Sequence, residues 1–199
     1  MYKYKIAICG KAKSGKNTIA KMIKKELSKH EPISCGYIAF ADPVKSIART
    51  MFPDMPEKYL TGSSEYRNST IPGAFKESIP LTVRQLLIDI GTGLGRAYKA
   101  DIWLDVFDYN LAKLENKNHN MIILTDCRFI NEHNHIKNKG FFNLKIVRDQ
   151  SDNINHISET EQDSIPISDF DYVVYNNGSL NDLKIEVQKV VNKLISYSS

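Results

Sequence analysis

The sequence lacks several marks of secreted and membrane proteins. Its three cysteines, Cys9, Cys35 and Cys127, form an odd set with no Cys-x-x-Cys pair. The N-terminus has none of the charged, apolar and cleavage-site order of a signal peptide, and no apolar run approaches the roughly 18 residues that a membrane span needs. We therefore expect a cytoplasmic protein with no membrane partner.

The sequence also lacks a strong charge, internal repeats and low-complexity tracts. Over 199 residues, 27 lysines and arginines stand against 23 aspartates and glutamates, which gives a net charge of +4. Hydrophobic residues make up 42% and charged residues 25%, which argues against a disordered, collagen-like or coiled-coil chain. The modest basic excess suits anionic small molecules as well as nucleic acid. Without a basic stripe or a base-stacking motif, we expect no stable nucleic-acid partner.

What the sequence does contain is an alternation of short apolar runs and helical patterns. This alternation predicts a single α/β domain over 1–199, with a central parallel β-sheet flanked by helices on both faces. Segment 52–80, rich in proline, glycine and serine, is expected to have little regular structure, and 149–169 to be a polar loop. Strands are predicted near 4–9, 37–40, 121–124, 144–147 and 172–175, and helices near 19–27, 42–51, 81–98, 101–114, 131–139 and 180–195.

Four residues with useful chemistry follow predicted strands. They are Gly10, Asp42, Asp126 and Arg148. In a sheet of parallel strands the ligand site lies beyond the carboxyl ends of the strands. We therefore expect these residues to contribute to one site.

Residues 10–18, Gly-Lys-Ala-Lys-Ser-Gly-Lys-Asn-Thr, fit the GxxxxGK pattern of a phosphate-binding loop. Backbone N–H groups of such a loop encircle phosphate oxygens, and Lys16 supplies a cation for the β- and γ-phosphates. The alternative is a glycine turn on a basic surface. Thr18 stands one position later than the usual hydroxyl, so we expect it to reach the α-phosphate region or a metal-bound water. The predicted donor-binding residues are Gly10, Lys13, Ser14, Gly15, Lys16, Asn17 and Thr18.

Together with this loop, further segments resemble, in order and spacing, the bacteriophage deoxynucleoside monophosphate kinases and their P-loop relatives. The resemblance implies a P-loop fold of the nucleoside monophosphate kinase type. It also implies transfer of the γ-phosphoryl group of ATP to a deoxynucleoside 5′-monophosphate, with Mg²⁺, in the synthesis of DNA precursors. A homodimer is expected by the same resemblance, and the host cytoplasm if a phage encodes the chain. The segments are Phe40 to Lys45, Arg84 to Leu87 with Gly91, Thr92 and Arg96, Asp101 to Trp103, Thr125 to Phe129 with Glu132, and His156 to Glu159.

Phosphoryl transfer between two polyanions needs cations that cancel their repulsion and stabilise the moving charge. By the resemblance this role falls to Arg128, with help from Arg96 and Arg148, since a guanidinium grips phosphate through two N–H groups. The alternative for each is a solvated surface charge. Asp126 resembles a Walker B carboxylate that holds Mg²⁺ through water, and its alternative is a helix cap or a partner for Arg128. The predicted catalytic residues are Lys16, Asp126, Arg128 and Arg148.

The resemblance also implies an acceptor side. Segment 52–80 is then a flap, and 149–169 is a lid that closes over ATP and is ordered by His156, Ser158 and Glu159. The structural alternatives are helix capping for Asp42, core packing for Trp103, and a solvated helix face for Lys45 and Glu132. The predicted substrate-binding residues are Asp42, Lys45, Arg84, Arg96, Trp103, Arg128 and Glu132.

Two nearby patterns carry no predicted function. His133-Asn134-His135 spells a nuclease-like triplet, but histidines two apart do not share a helix face, and no cysteine or carboxylate pattern completes a metal site. A surface helix is predicted there. Cys9 and Cys127 adjoin predicted site residues, but a cysteine in or beside a buried strand is usually a small hydrophobic residue.

Two other functions stay open from the residues alone. One is a P-loop kinase for another small phosphorylated acceptor, such as phosphomevalonate or dephospho-coenzyme A. The other is a non-catalytic nucleotide-dependent switch or nucleic-acid-binding module, against which the modest charge argues.

Overall fold

A computed structural model describes residues 3–62, 64–149, 161 and 163–198 of the chain. The chain forms two compact units, one from Met1–Ala39 with Asp108–Ser199 and the other from Phe40–Phe107. Most of the predicted lid, including His156, Ser158 and Glu159, lies outside the described residues. In the part of the chain that is described, no helix is both long and apolar enough to cross a membrane.

The elements alternate along the chain much as the apolar patterns predict. The strands are β1 (Tyr4–Cys9), β2 (Cys35–Ile38), β3 (Thr70–Lys76), β4 (Ile79–Thr82), β5 (Met121–Leu124), β6 (Phe142–Val147) and β7 (Tyr172–Tyr175). The helices are α1 (Lys16–Leu27), α2 (Asp42–Met51), α3 (Lys58–Thr61), α4 (Val83–Ile88), α5 (Ile102–Glu115), α6 (Ile130–Asn138) and α7 (Leu180–Tyr197).

The first unit is built on a five-stranded parallel sheet with the order β2-β5-β1-β6-β7. Its central strand, β1, pairs Ile6 with Ile123 on one side and with Phe142 on the other. Strand β5 is apolar and buried at all of its residues, as a parallel strand covered by helices on both faces requires. The predicted central parallel sheet with flanking helices is confirmed.

The two faces of β1 have different neighbours. Ile6 and Ile8 join a buried cluster with apolar residues of α1 and α7, such as Ile23 and Val187. Successive residues of a strand alternate between the faces, so Cys9 belongs to the opposite face. Burial of Ile6, Ile8 and Ile23, all 0% exposed, stabilises the unit by about 1.5–3 kcal/mol for each side chain before entropy costs.

Strand β2 begins two residues earlier than predicted. The sequence predicts a strand at 37–40, but Cys35–Ile38 forms the ladder with β5. Phe40 instead stacks on Phe107, with 4.5 Å between ring centroids, inside the second unit. The predicted position of the strand is wrong for a physical reason. Phe40, at the end of the apolar run, stacks on an aromatic ring that is distant in the sequence, and the local pattern does not show this contact.

The second unit has more regular structure than its sequence predicts. The expectation of little structure in 52–80 is wrong, because this stretch contains α3, a 3₁₀ turn at Ser64–Asn68 and an antiparallel hairpin of β3 and β4. The hairpin turns at Glu77 and Ser78, whose φ angles are +51° and +67°. A two-residue turn of this kind normally carries Asn-Gly or Asp-Gly, so no turn signal was present in the sequence.

The single helix predicted for 81–98 is divided. Helix α4 ends at Ile88 and a π-helical segment, Asp89–Arg96, follows. A Cβ on Gly95 would lie 2.2 Å from Trp103 Cζ2, so the indole packs directly on the glycine backbone. Trp103 is 7% exposed, and its indole N–H donates to the Gly91 carbonyl at 2.8 Å. This bond gives a partner to a carbonyl in the widened turn.

Candidate nucleotide-binding site

Predicted site residues of the first unit follow its parallel strands. Gly10 comes after β1, Asp126 two residues after β5, and Arg148 after β6. Because β5, β1 and β6 are adjacent and parallel, these residues belong to the same edge of the sheet. Asp42 opens α2 in the second unit and is described with that unit below.

The loop after β1 depends on two glycines. A Cβ on Gly10 would lie 2.7 Å from both the Ile146 carbonyl oxygen and Ser14 Oγ. Gly15 has a φ of +101°, and a Cβ there would lie 2.6 Å from Asn176 Nδ2. An L side chain at Gly15 is therefore excluded both by conformation and by space. The result is a tight cradle of backbone between β1 and α1.

Lys16 occupies the first turn of α1, directly after this cradle. Its ammonium donates to the carbonyl oxygens of Gly10 at 2.5 Å and Lys11 at 2.7 Å. These bonds hold the positive charge at the loop and beside the N-terminal end of α1. Both the ammonium and the free N–H groups of a helix N-terminus favour an anion there.

Ser14 supplies an independent sign that the cradle holds a ligand. The residue is 1% exposed, and its hydroxyl has no hydrogen-bond partner among the described residues. Leaving a buried hydroxyl unpaired costs about 1–3 kcal/mol. A phosphate oxygen would accept from this hydroxyl, so the loop fits a phosphate group.

Asn176, directly after β7, braces the loop and was missed by the sequence analysis. Its Nδ2 donates to the Ser14 carbonyl at 2.9 Å, and its backbone N–H donates to the Val147 carbonyl at 2.8 Å. Arg148 Nη1 also contacts the loop, at 3.4 Å from the Lys13 carbonyl oxygen. The position of Asn176 after a strand was the only signal in the sequence, and that signal is weak for asparagine.

The loop also forms an ion pair with the described part of segment 149–169. Lys11 Nζ lies 2.8 Å from Asp163 Oδ2. Both side chains are partly exposed, so the pair contributes less than about 1 kcal/mol. It places Asp163, a described residue within the predicted lid, beside Lys11 of the loop.

Glu132 organises the turn that carries Asp126 and Arg128. Its buried carboxylate, 3% exposed, accepts from the backbone N–H groups of Arg128 at 2.8 Å and Phe129 at 3.2 Å. These bonds satisfy N–H groups at the start of α6. Asp126 and Arg128 are both half-buried. Thr18 lies on the exposed side of the first turn of α1.

The second unit holds the remaining predicted residues: Asp42, Lys45, Arg84, Arg96 and Trp103. Asp42 and Lys45 form a loose ion pair on α2, with 3.5 Å between Oδ1 and Nζ. Arg84 Nε donates to Asn68 Oδ1 at 2.9 Å. The burial of Trp103 accounts for this side chain as part of the packing of the unit, and its stacking on a base stays a prediction.

The prediction that His133-Asn134-His135 lies on a plain surface helix is wrong for His133. His133 is 1% exposed, whereas His135 bonds Asp108 at 2.7 Å. Sγ of Cys9, Sγ of Cys127 and a ring nitrogen of His133 all lie within 4.8 Å of one another, and we call these three residues the sulfur–imidazole cluster. Strand pairing and the fold of α6 bring them together from three separate segments, which no local pattern shows.

Within the sulfur–imidazole cluster, the pKa values of the two cysteines are shifted in opposite directions. Hydrogen bonding with the Cys127 thiol lowers the pKa of Cys9 to about 6, against the opposing effect of burial, and the nearby His133 ring shifts it in the same direction. The same interaction with Cys9, together with burial, raises the pKa of Cys127 well above its ordinary value. Burial lowers the pKa of Lys145, which pairs with Cys9 across the strands.

A strand–loop–helix turn of this construction has a well-established use in α/β proteins, which is to hold the phosphates of a nucleotide. The fold and the loop thus place the chain in the class of α/β proteins that carry a glycine- and lysine-containing loop between a strand and a helix. Within that class, the model of the deoxynucleotide monophosphate kinase family matches residues 47–187, and the chain belongs to this family. The matched stretch begins after the phosphate loop, so loop and family model are separate observations.

Two individual proteins are similar over nearly their whole length. A protein of Acanthamoeba polyphaga mimivirus, described as "Putative deoxynucleotide monophosphate kinase", is 28% identical over an alignment of 200 residues that covers 94% of this chain and 95% of that protein. The crystal structure of TT1252 from Thermus thermophilus covers 98% of this chain and 99% of its own, with 16% identity and a TM-score of 0.47.

Proposed function

We propose that the chain transfers the γ-phosphoryl group of ATP to a deoxynucleoside 5′-monophosphate, giving the deoxynucleoside diphosphate and ADP. The family to which the chain belongs supports a kinase of nucleotides. The observation that carries the donor side is the loop itself, with its unpaired Ser14 hydroxyl and the Lys16 ammonium.

In this proposal the loop amides, Ser14 Oγ and Lys16 hold the phosphates of ATP. The Lys16 ammonium leaves the carbonyl oxygens of Gly10 and Lys11 and turns to the β- and γ-phosphates. Asn176 keeps the loop in shape by its bond to the Ser14 carbonyl. Because the loop is preorganised, little conformational entropy is lost on binding.

The transfer itself needs alignment and charge stabilisation more than covalent chemistry. A phosphate oxygen of the acceptor forms the new P–O bond, and the bond between the γ-phosphorus and the β-bridging oxygen breaks, leaving ADP. Arg128 and Arg148 neutralise the charge that is shared during this exchange. Glu132 orients Arg128 through the backbone of the turn.

Mg²⁺ is proposed as the cofactor, with Asp126 as its carboxylate partner through water and Thr18 as a further contact. The half-buried position of Asp126 after β5 and the oxygen chemistry of both side chains fit this hard cation. When bound, Mg²⁺ neutralises charge on the β- and γ-phosphates. For the acceptor, the proposed contacts are Asp42, Lys45, Arg84, Arg96 and Trp103.

The test of the donor side is Lys16→Ala, with Lys21→Ala on the exposed side of α1 as the matched control. We expect Lys16→Ala to lower kcat/KM by a factor of about 10³ or more, since it removes a cation that acts on the transferred group. Lys21→Ala should keep normal activity. Near-normal turnover in a folded Lys16→Ala protein would contradict the assignment of the loop.

The test of the acceptor is a coupled assay of ADP release over a panel of phosphorylated acceptors. The panel contains the four deoxynucleoside monophosphates, the four ribonucleotides, dephospho-coenzyme A and phosphomevalonate. We expect stimulation by at least one deoxynucleotide above all other acceptors. No stimulation by any deoxynucleotide would overturn the proposal, and salt-sensitive DNA binding without ADP formation would favour a nucleotide-dependent binding module.

A further inference from the structure

The sulfur–imidazole cluster has the composition of a metal site but takes no part in the proposed reaction. Its residues are 0%, 1% and 1% exposed for Cys9, Cys127 and His133, so none of them faces bulk water. The sheet and α6 place two sulfur atoms and one ring nitrogen within 4.8 Å of one another. Such a set of ligands is typical of soft or borderline cations rather than of Mg²⁺.

The imidazole gives a second, independent observation. Neither ring nitrogen of His133 has a hydrogen-bond partner among the described residues, although the ring is almost fully buried. The side chain contacts the Phe170 ring at 4.8 Å between centroids, which holds the ring in place without satisfying a nitrogen. A buried imidazole without partners is costly, and a metal bond to one nitrogen would remove part of that cost.

The distances suit a tetrahedral cation. Zinc bonds of about 2.3 Å to sulfur and 2.0–2.1 Å to nitrogen place the ligand atoms about 3.6–3.8 Å apart. Ligand atoms that already lie within 4.8 Å need only small side-chain movements to reach this geometry. Two thiolates and Zn²⁺ carry no net charge together, so neither burial nor the neighbouring Lys145 ammonium opposes the loaded site.

We propose that Cys9, Cys127 and His133 bind one Zn²⁺ ion, with a water molecule as the fourth ligand. The ion ties the carboxyl ends of β1 and β5 to α6. Gly10 follows Cys9 directly and Asp126 precedes Cys127 directly, so the ion also anchors the base of the phosphate loop and the turn of Asp126. The ion is distinct from the Mg²⁺ of the proposed reaction, and the proposal does not depend on that reaction.

The first experiment titrates the full chain, freed of metal and kept reduced, with Co²⁺ alone as the probe. Co²⁺ adopts the geometry of zinc and absorbs in the near ultraviolet through thiolate-to-metal charge transfer. We expect one Co²⁺ per chain with this absorption, which Zn²⁺ then removes by displacement. We also expect Zn²⁺ to raise the unfolding temperature of the metal-free protein. Absence of charge-transfer absorption in the natural protein would overturn the proposal.

Variants assign the ligands. Cys127→Val and His133→Leu should each weaken Co²⁺ binding by more than the 10–100-fold that loss of an outer partner costs. Cys35→Ser and His135→Gln are the matched controls, since the former alters the cysteine outside the cluster and the latter a histidine two residues away on α6. Both controls should bind Co²⁺ as the natural protein does. Charge-transfer absorption that survives His133→Leu unchanged would contradict the assignment.

A measurement on the natural protein guards against variants that do not fold. X-ray absorption at the zinc edge should show two sulfur ligands at about 2.3 Å, one imidazole nitrogen at about 2.0–2.1 Å and one further light ligand, the water oxygen. A shell made only of oxygen and nitrogen ligands would contradict the site even if every variant failed to fold. Kinase activity is not part of either readout, so failure here leaves the proposed phosphoryl transfer untouched.

Discussion

The phosphate loop and the sulfur–imidazole cluster both start at the carboxyl end of β1, at Gly10 and Cys9. The ligand-binding groups of the loop are consecutive in sequence, whereas Cys127 and His133 are more than 100 residues from Cys9. The loop is therefore readable as a motif, and the cluster exists only after β1 has paired with β5. A site can be recognised in a sequence when its residues are consecutive, and it is hidden when they come from distant segments.

Of the substitutions that test this comparison, Gly15→Ala should have the largest effect, because it disrupts the backbone of the loop. Residue 15 has a φ of +101°, which an alanine rarely adopts, and the new Cβ would lie 2.6 Å from Asn176 Nδ2. We expect at least about a hundredfold loss of ATP affinity and about 1–3 kcal/mol loss of unfolding free energy. Titration calorimetry and denaturant unfolding measure the two. Gly93→Ala, where a Cβ meets nothing within 4 Å, is the control, and an equal loss there would refute the steric argument.

Asn176→Ala tests whether the contiguous loop depends on a distant residue. The substitution removes the bond to the Ser14 carbonyl at 2.9 Å, and we expect the KM for ATP to rise about tenfold, the equivalent of about 1.4 kcal/mol. Unfolding free energy should fall by about 1 kcal/mol. Asn181→Ala, on the exposed first turn of α7, is the control. An unchanged KM would mean that the loop holds its shape without this brace.

Asp108→Asn sharpens the contrast between the two histidines of α6 and has the smallest expected effect. Burial raises the pKa of Asp108, but hydrogen bonds from Lys139 and His135 outweigh it and leave the pKa below its usual value. Because the folded pKa is lowered, the carboxylate stabilises the fold above about pH 4, and this contribution is lost as pH falls through the folded pKa.

The measurement for Asp108→Asn is denaturant unfolding across pH 2–7. The natural protein should be more stable than the variant near neutral pH, by less than about 1 kcal/mol since the pair is partly exposed, and the difference should vanish in acid. A difference that grows as pH falls would have the wrong sign. Co²⁺ binding by the cluster should stay unchanged at pH 7, because His133 lies apart from this ion pair.

The sheet was predictable because buried parallel strands leave continuous apolar runs, as at 121–124, and because amphipathic helices repeat every 3–4 residues. The loop between β1 and α1 was predictable because glycine and lysine stand at fixed spacing, and its binding of phosphate stays a prediction. The hairpin of β3 and β4 was missed, since its turn uses Glu77 and Ser78 without glycine or asparagine. Strand β2 was misplaced by two residues because Phe40 packs on a ring 67 positions later.

The site divides in the same way. Lys16 and Ser14 were predicted from the motif, but the brace by Asn176 and the capping role of Glu132 depend on contacts that the motif does not contain. The sequence analysis predicts no metal site at the three members of the sulfur–imidazole cluster, because it considers each residue separately. Each alone does look like an ordinary core or surface residue, and only their proximity makes them a candidate metal site.

The sequence by itself determined the alternation of strands and helices and the glycine- and lysine-containing loop between β1 and α1, because both depend on the periodicity and spacing of neighbouring residues. Only the tertiary structure decided the strand order, the support of the loop from β7 and the meeting of Cys9, Cys127 and His133. The physical reason is that these features depend on hydrogen bonds and packing between segments far apart in the chain, and such contacts leave no local pattern.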